Sequence, residues 1–368
     1  MFAYVVRRLL LIIPTLLGIM IVNFAIVQVA PGGPIEQIIA DITGTGVEAT
    51  GRISGATGSE TGARAGGDAS SRVSSDYRGA QGLPPEFIAQ LERQFGFDKP
   101  WYERFALMIG NYVTFDFGNS YFRGRGVVDL IVERLPVSIS IGLWTALITY
   151  SVCIPLGIAK ARRDGSRFDV WTSGIVIALY AIPSFLFAIL LIVLFAGGRY
   201  LDWFPLRGLV SDDWEQMSLV GQILDYLWHM TLPILAIVIA SFAGLTMLTK
   251  NSFLEEINKQ YVLTARAKGL TERQVLYGHV FRNAMIIIIA GVPGAIIGVL
   301  FAGSLFIEII FSLDGLGLLG YVSVIDRDYP VIFATLYFFT LLGLVIQLIS
   351  DLVYHWVDPR IDFESREV

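Results

Sequence analysis

LLLIIPTLLGIMIVNFAIVQVA, residues 9–30, decides the class of fold. These 22 residues carry no charge. As a helix they rise about 33 Å, enough to cross the hydrocarbon of a bilayer. Arg7 and Arg8 stand just before the run, as basic residues do in a secretory signal peptide. The apolar part of such a peptide usually stops by about 15 residues, so the stretch reads as a retained first span.

Five similar runs follow, at 135–159, 169–197, 230–249, 284–311 and 331–353. Only helices and closed barrels satisfy their backbone groups in lipid, and runs of this length are helices. The chain is therefore expected to be an all-α polytopic membrane protein with six spans. Composition agrees. Hydrophobic residues make up 54% and charged residues 16% of the chain, and the mean hydropathy is +0.63. A soluble domain carries roughly a quarter charged residues. The formal charge of −5 gives no basic face for a nucleic acid. Cys153 has no second cysteine to pair with. Pro14, Pro155, Pro183, Pro233 and Pro293 fall inside the runs, which membrane helices tolerate when neighbours satisfy the freed carbonyls. Gly291, Gly294 and Gly298 suggest close helix packing in the fifth run.

Orientation follows from the short loops. Lys160, Arg162, Arg163 and Arg167 crowd one, and Lys250, Lys259, Arg266, Lys268, Arg273 and Arg282 lie in 250–283. The opposite loops hold Arg199, Arg207 and Arg327. Basic loops stay in the cytoplasm, so both termini are expected there. Residues 1–30 are then the N-terminal segment and first span, 31–134 a periplasmic region, 135–353 a five-helix core and 354–368 a cytoplasmic tail. Within the periplasmic region, 43–83 is rich in Gly, Ser, Thr and Ala and is expected to be a flexible insert. Residues 84–134 carry a helical pattern at Phe87, Ile88, Leu91 and Phe95. Trp101, Tyr102, Phe105, Tyr112, Phe115 and Phe117 follow, suited to a membrane interface or a docking face.

Residues 250–283 are longer than a connection needs. Their pattern is helix, glycine, helix. Gly269 suits the left-handed residue that ends a helix, and Thr271 with Gln274 suits a capping box opening the next. The small residues Ala265 and Ala267 would let another protein approach closely. The pair reads either as a handle for a cytoplasmic motor or as an amphipathic pair lying on the membrane.

Leu263-Thr264-Ala265, three residues, then Gly269, sits where the cytoplasmic loop of ABC importer permeases has Glu-Ala-Ala-x-x-x-Gly. TARAKGL (264–270), HVFRNAM (279–285), VAPGGP (29–34), FGFDKPW (95–101), FGNSY (117–121), IEIIFSLDGLG (307–317), DRDYPVI (326–332) and DLVYHWVDPRI (351–361) occur in the same order as in the oligopeptide/dipeptide B-type permeases. The chain resembles that family, and the PGGP form with its long external insert resembles the Yej peptide/microcin C branch. Two departures stand out: Leu263 replaces the leading Glu, and His279-Val280-Phe281-Arg282 replaces Ile-x-Leu-Pro.

The resemblance implies the type I importer permease fold, both termini inside, in a bacterial inner membrane. It implies a second permease as heterodimer partner, ATPase subunits or a fused double ATPase below, and a periplasmic peptide-binding protein above. Tyr261, Thr264, Ala265, Arg266, Ala267, Lys268, Gly269 and Leu270 would couple to the ATPase. ATP and Mg would be bound there, since this chain has no GxxxxGK[ST] phosphate cradle. No catalytic group and no metal site is expected: His229, His279 and His355 are scattered. Glu308, costly in an apolar run, is a candidate for the outer gate or for a peptide amine. Tyr180, Ser184 and Phe185 are candidates for the translocation path, and Asp314, Asp326, Arg327 and Asp328 for contact with the binding protein. A nickel or small-solute importer of the same superfamily is disfavoured by spans without histidine. A lone channel or secondary carrier is disfavoured by the lack of matched broken helices.

Overall fold

The structure, a computed structural model, describes residues 2–29, 33–42, 85–198, 200–301 and 305–357. The 43–83 insert and the tail beyond 357 lie outside them. Helices dominate: α1 (Phe2–Val29), α2 (Pro34–Ile42), α3 (Pro85–Phe95), α4 (Trp101–Val113), α5 (Val127–Arg162), α6 (Arg167–Tyr180), α7 (Ser184–Phe195) and α8 (Leu219–Ile257). After them come α9 (Gln260–Ala267), α10 (Glu272–Val275), a π-helical turn (Leu276–Val280), α11 (Phe281–Phe301), α12 (Leu305–Ile310), α13 (Leu316–Asp326) and α14 (Tyr329–Val357).

Among the described residues, five helices are long and apolar enough to span a bilayer, or six if α6 and α7 count as one. That pair departs from the single helix expected at 169–197. It breaks at Ala181–Pro183 and turns by 90°. Pro183 offers no N–H to a preceding carbonyl and drives Ile182 away from helical geometry. Pro14, Pro155, Pro233 and Pro293, by contrast, remain inside continuous helices. The 230–249 run is the middle of the longer α8. Ser218 caps it by accepting from the Gly221 amide at 3.2 Å, and α8 carries on to Ile257 without a break. Within the 284–311 run the described residues form α11 to Phe301 and α12 over Leu305–Ile310.

The chain forms two compact units. The first comprises Met1–Leu10, Pro136–Gly317 and Leu342–Val368. One of its cores gathers Ile141, Met230, Ala236, Ile307 and Leu313. Another gathers Ile158, Phe253, Val262, Val280 and Ile288. Helices α5 and α8 approach closely at Gly157, where a β-carbon would stand 2.5 Å from Thr249 Cβ and 2.9 Å from the Thr246 carbonyl oxygen. Among the described residues, close packing at Gly291 and Gly294 is not seen: outside the helix's own backbone nothing lies within 4 Å of a β-carbon placed there. The second unit comprises Leu11–Leu135 and Leu318–Leu341. Ile35, Ile39 and Leu91 form one core in it. Rings of Tyr112, Phe117, Tyr337 and Phe338 form another, with centroids 4.7 to 5.6 Å apart.

Candidate functional site

The end of α8, α9, α10 and the π-helical turn build one surface. Glu256, in the last turn of α8, accepts from Lys259 Nζ and from the Tyr261 hydroxyl at 2.6 Å, which pins the start of α9 to the end of α8. The Glu256 carboxylate holds the Lys259 ammonium above its usual range, and burial with the Glu256 contact raises the Tyr261 phenol. Helix α9 stops at Gly269, whose φ of +82° is open to glycine at little cost. Thr271 Oγ1 accepts from the Gln274 amide at 3.4 Å, and Gln274 Oε1 accepts from the Thr271 amide at 2.9 Å. Both turn devices expected from the sequence are therefore present. A third was not foreseen: Arg266 and Glu272 form a two-pronged ion pair, at 2.9 and 3.1 Å, across the Gly269 turn.

Ala265 needs correcting as a residue open to a partner. It is buried with Val262 against Val275, Leu276 and Ala284, because it lies on the inward face of α9. The outward face presents Leu263, Thr264, Arg266, Ala267 and Lys268. Leu263, the departure from the family's Glu, is half exposed. An open depression of about 660 Å³ is lined by Leu270, Arg273, Gln274, Tyr277, Gly278 and His279. The surface thus combines apolar Leu263, Ala267, Leu270 and Tyr277 with exposed Lys268 and Arg273 and the Arg266–Glu272 pair. Sequence reasoning missed Leu263 and Tyr277; exposed apolar residues in an otherwise charged cytoplasmic segment were the available signal.

It also missed a buried ion cluster. Lys160 Nζ is fully buried and sits 3.0 Å from Asp169 Oδ1, 2.9 Å from Thr172 Oγ1 and 2.6 Å from Ser173 Oγ. Lys250 Nζ reaches Asp169 Oδ2 at 2.7 Å and Asp164 Oδ1 at 2.8 Å. Asp169 thereby joins α5, α6 and α8. Its place near the start of an apolar run was the signal, since a carboxylate there needs partners.

The outer candidates are distributed. Tyr180 is exposed at the end of α6, and Ser184 and Phe185 open α7, where the Phe185 ring stands 5.5 Å from Phe306. Glu308 is fully buried, its carboxyl cradled by two glycines: a β-carbon would meet it at 2.5 Å on Gly315 and 3.1 Å on Gly317. Asp314 is exposed between α12 and α13. Asp326 ends α13, and Arg327 takes a φ of +60°. Asp328, a candidate for contact with the binding protein, needs correcting: it is buried. It accepts from Ser120 Oγ and from the Tyr121 amide at 3.1 Å, because the turn at Arg327 directs it inward beneath α14. Burial raises its carboxyl above the usual range and lifts the Tyr121 phenol to about 12.

Residues 153–363 match the sequence pattern of the family described as the binding-protein-dependent transport system inner membrane component. That is more than half of the chain and includes the whole 250–283 surface. The chain belongs to this family. As a whole this permease is 62% identical over 366 residues to the peptidoglycan transport system permease protein YejB of Agrobacterium fabrum, covering 100% of both chains. It is 57% identical over 365 residues to the inner membrane ABC transporter permease protein YejB of Escherichia coli O157:H7, covering 99% of this chain and 100% of that one. It is 33% identical over 364 residues to the oligopeptide transport system permease protein AppB of Bacillus subtilis, covering 99% and 100%. The resemblance drawn from TARAKGL, FGNSY and IEIIFSLDGLG is thereby shown. The permease is a multi-pass protein of the inner membrane and a subunit of an ABC importer.

Proposed function

We propose that this permease forms half of the translocation path for short peptides, and that a separate ATPase drives it through the α9–α10 surface. The observation that carries the reading is that surface itself. Its outline is fixed by the Gly269 turn, the capping box and the Arg266–Glu272 pair. It offers exposed Leu263 and Tyr277 to a partner, and a firm apolar patch with a charged rim is what a protein interface presents. Tyr261, Thr264, Arg266, Ala267, Lys268, Gly269 and Leu270 carry the coupling, with Ala265 supporting them from beneath. ATP and Mg bind to the partner.

The peptide class rests on the relatives, whose names speak of peptidoglycan and of oligopeptide transport. A microcin C-like peptide conjugate is a substrate of the same chemistry. A second, homologous permease completes the path. A periplasmic peptide-binding protein docks above it, with Asp314, Asp326 and Arg327 as contacts. Tyr180, Ser184 and Phe185 at the α6–α7 break line the path, and Glu308 braces its outer end from within.

The test is purification of the permease from its native membrane in mild detergent, with identification of what accompanies it, followed by ATPase assay in liposomes. A second permease, a P-loop ATPase and peptide-stimulated hydrolysis are expected. Gly269→Pro, whose ring cannot take a positive φ, keeps the assembly and loses stimulation. Recovery of the permease alone, or full stimulation in Gly269→Pro, sinks the coupling assignment.

A further inference from the structure

Helix α4 leaves a bare apolar strip. Tyr102, Ala106, Gly110 and Val113 recur at helical spacing and share one face. Tyr102 is 61% and Val113 73% exposed, and Trp101 and Phe115 at the two ends of the helix are 62% and 53% exposed. Phe105 and Tyr112 take the opposite, inward face. Glu103 and Asn111 are exposed on the flank beyond the strip. The other charge of the helix, Arg104, is turned inward. It donates to Gln28 Oε1 at 2.8 Å and covers the Phe97 ring at 4.6 Å.

The neighbours of α4 fix its depth. The Phe105 ring stands 5.1 Å from Phe24 of α1, and Phe24 stacks at 6.1 Å on Phe333 of α14. At the other end, Tyr112 and Phe115 stand 5.6 and 6.1 Å from Tyr337 of α14. Phe24 lies about 8 Å along its helix from the outer end of α1, and Tyr337 about 12 Å from the outer start of α14, at 1.5 Å per residue. Both ends of α4 therefore touch spanning helices below their outer rims. Along its outer half α1 exposes Val22, Ile26 and Val29, an apolar surface on a helix long enough to span the bilayer.

We propose that α4 is an interfacial helix lying in the outer leaflet of the membrane. Tyr102, Ala106, Gly110 and Val113 rest on acyl chains, Trp101 lies at the headgroup level, and Glu103 and Asn111 meet water. The partner is the lipid surface. A strip without ions, on a helix packed against spanning helices below their outer ends, is what acyl chains cover, and its depth keeps it from a soluble protein.

The experiment uses the full importer in nanodiscs. Spin labels are placed singly at Tyr102→Cys, Val113→Cys and Asn111→Cys in a Cys153→Ser background, and collision with oxygen is compared with collision with a water-soluble nickel chelate. Oxygen is expected to dominate at 102 and 113, and nickel at 111. Nickel dominance at all three places the strip in water and overturns the proposal. Protection from both agents at 102 and 113 places it under protein and overturns it equally. A second measurement needs no label. The tryptophan emission lost in Trp101→Phe is expected to be quenched by lipids brominated near the top of their chains; an unquenched Trp101 signal counts against the proposal.

Discussion

At Gly157 a single β-carbon meets Thr249 Cβ at 2.5 Å and the Thr246 carbonyl oxygen at 2.9 Å, distances no packed atom tolerates, and neither the root of a β-branched side chain nor a backbone carbonyl is a movable tip. Gly157→Ala is expected to force α5 and α8 apart at a cost of about 1–3 kcal/mol. Thermal unfolding in detergent checks it, with Gly294→Ala, whose added carbon meets no neighbouring element among the described residues, as the unaffected control. Asp328 is a second residue with a consequence of its own. Its folded pKa is raised by burial, so the stability it contributes is fully present below its unfolded value of about 4 and is lost as pH rises through the folded value. Asp328→Asn, which keeps an acceptor for Ser120 and Tyr121, is expected to remove that dependence. The melting difference between variant and native protein then shrinks as pH falls toward about 4. A difference independent of pH would show that Asp328 titrates unperturbed.

Helix α9 shows two faces with opposite requirements. Ala265→Leu overfills the space against Val275 and Leu276 and is expected to destabilise the protein by about 1–3 kcal/mol. Ala267→Trp, on the outward face, is expected to leave the melting temperature unchanged and to weaken ATPase binding in a pull-down. Equal effects of the two on stability would contradict the assigned faces. These elements also show what the sequence could and could not tell. The Gly269 turn and the Thr271 capping box were legible because each depends on residues adjacent in the chain. The side of α9 that Ala265 faces was not, because α9 is short and its neighbours Val275 and Ala284 come later in the chain. The 169–197 run read as one helix because hydropathy is blind to direction; Pro183 marked the break, yet Pro14, Pro136, Pro155, Pro233 and Pro293 were absorbed without one. Asp328 and Glu308 were both visible as charges, but their burial is set by Ser120, far earlier in the chain, and by the Gly315 and Gly317 turn.

At the scale of the molecule, the cluster of Lys160, Asp164, Asp169 and Lys250 sets two ammonium groups against two carboxylates. Asp169→Asn strands a fully buried ammonium and is expected to cost about 3–5 kcal/mol. Replacing Lys160, Asp169 and Lys250 together by Met, Leu and Met should recover much of that, since the net worth of a buried pair is small. Unfolding of the three proteins side by side decides it; a triple variant as weak as Asp169→Asn would mean that the ions contribute stability in their own right. The cluster has a further consequence for biogenesis. Lys160 lies 90 residues before Lys250 in the chain, so while α5 and α6 enter the membrane the later lysine has not yet been placed. On the orientation that the basic loops lead one to expect, these lysines act during insertion as retention charges for their loops. Once α8 is in place the same charges are taken up by Asp164 and Asp169 and become packing, so the topogenic signal of the nascent chain is consumed in the assembly of the finished bundle.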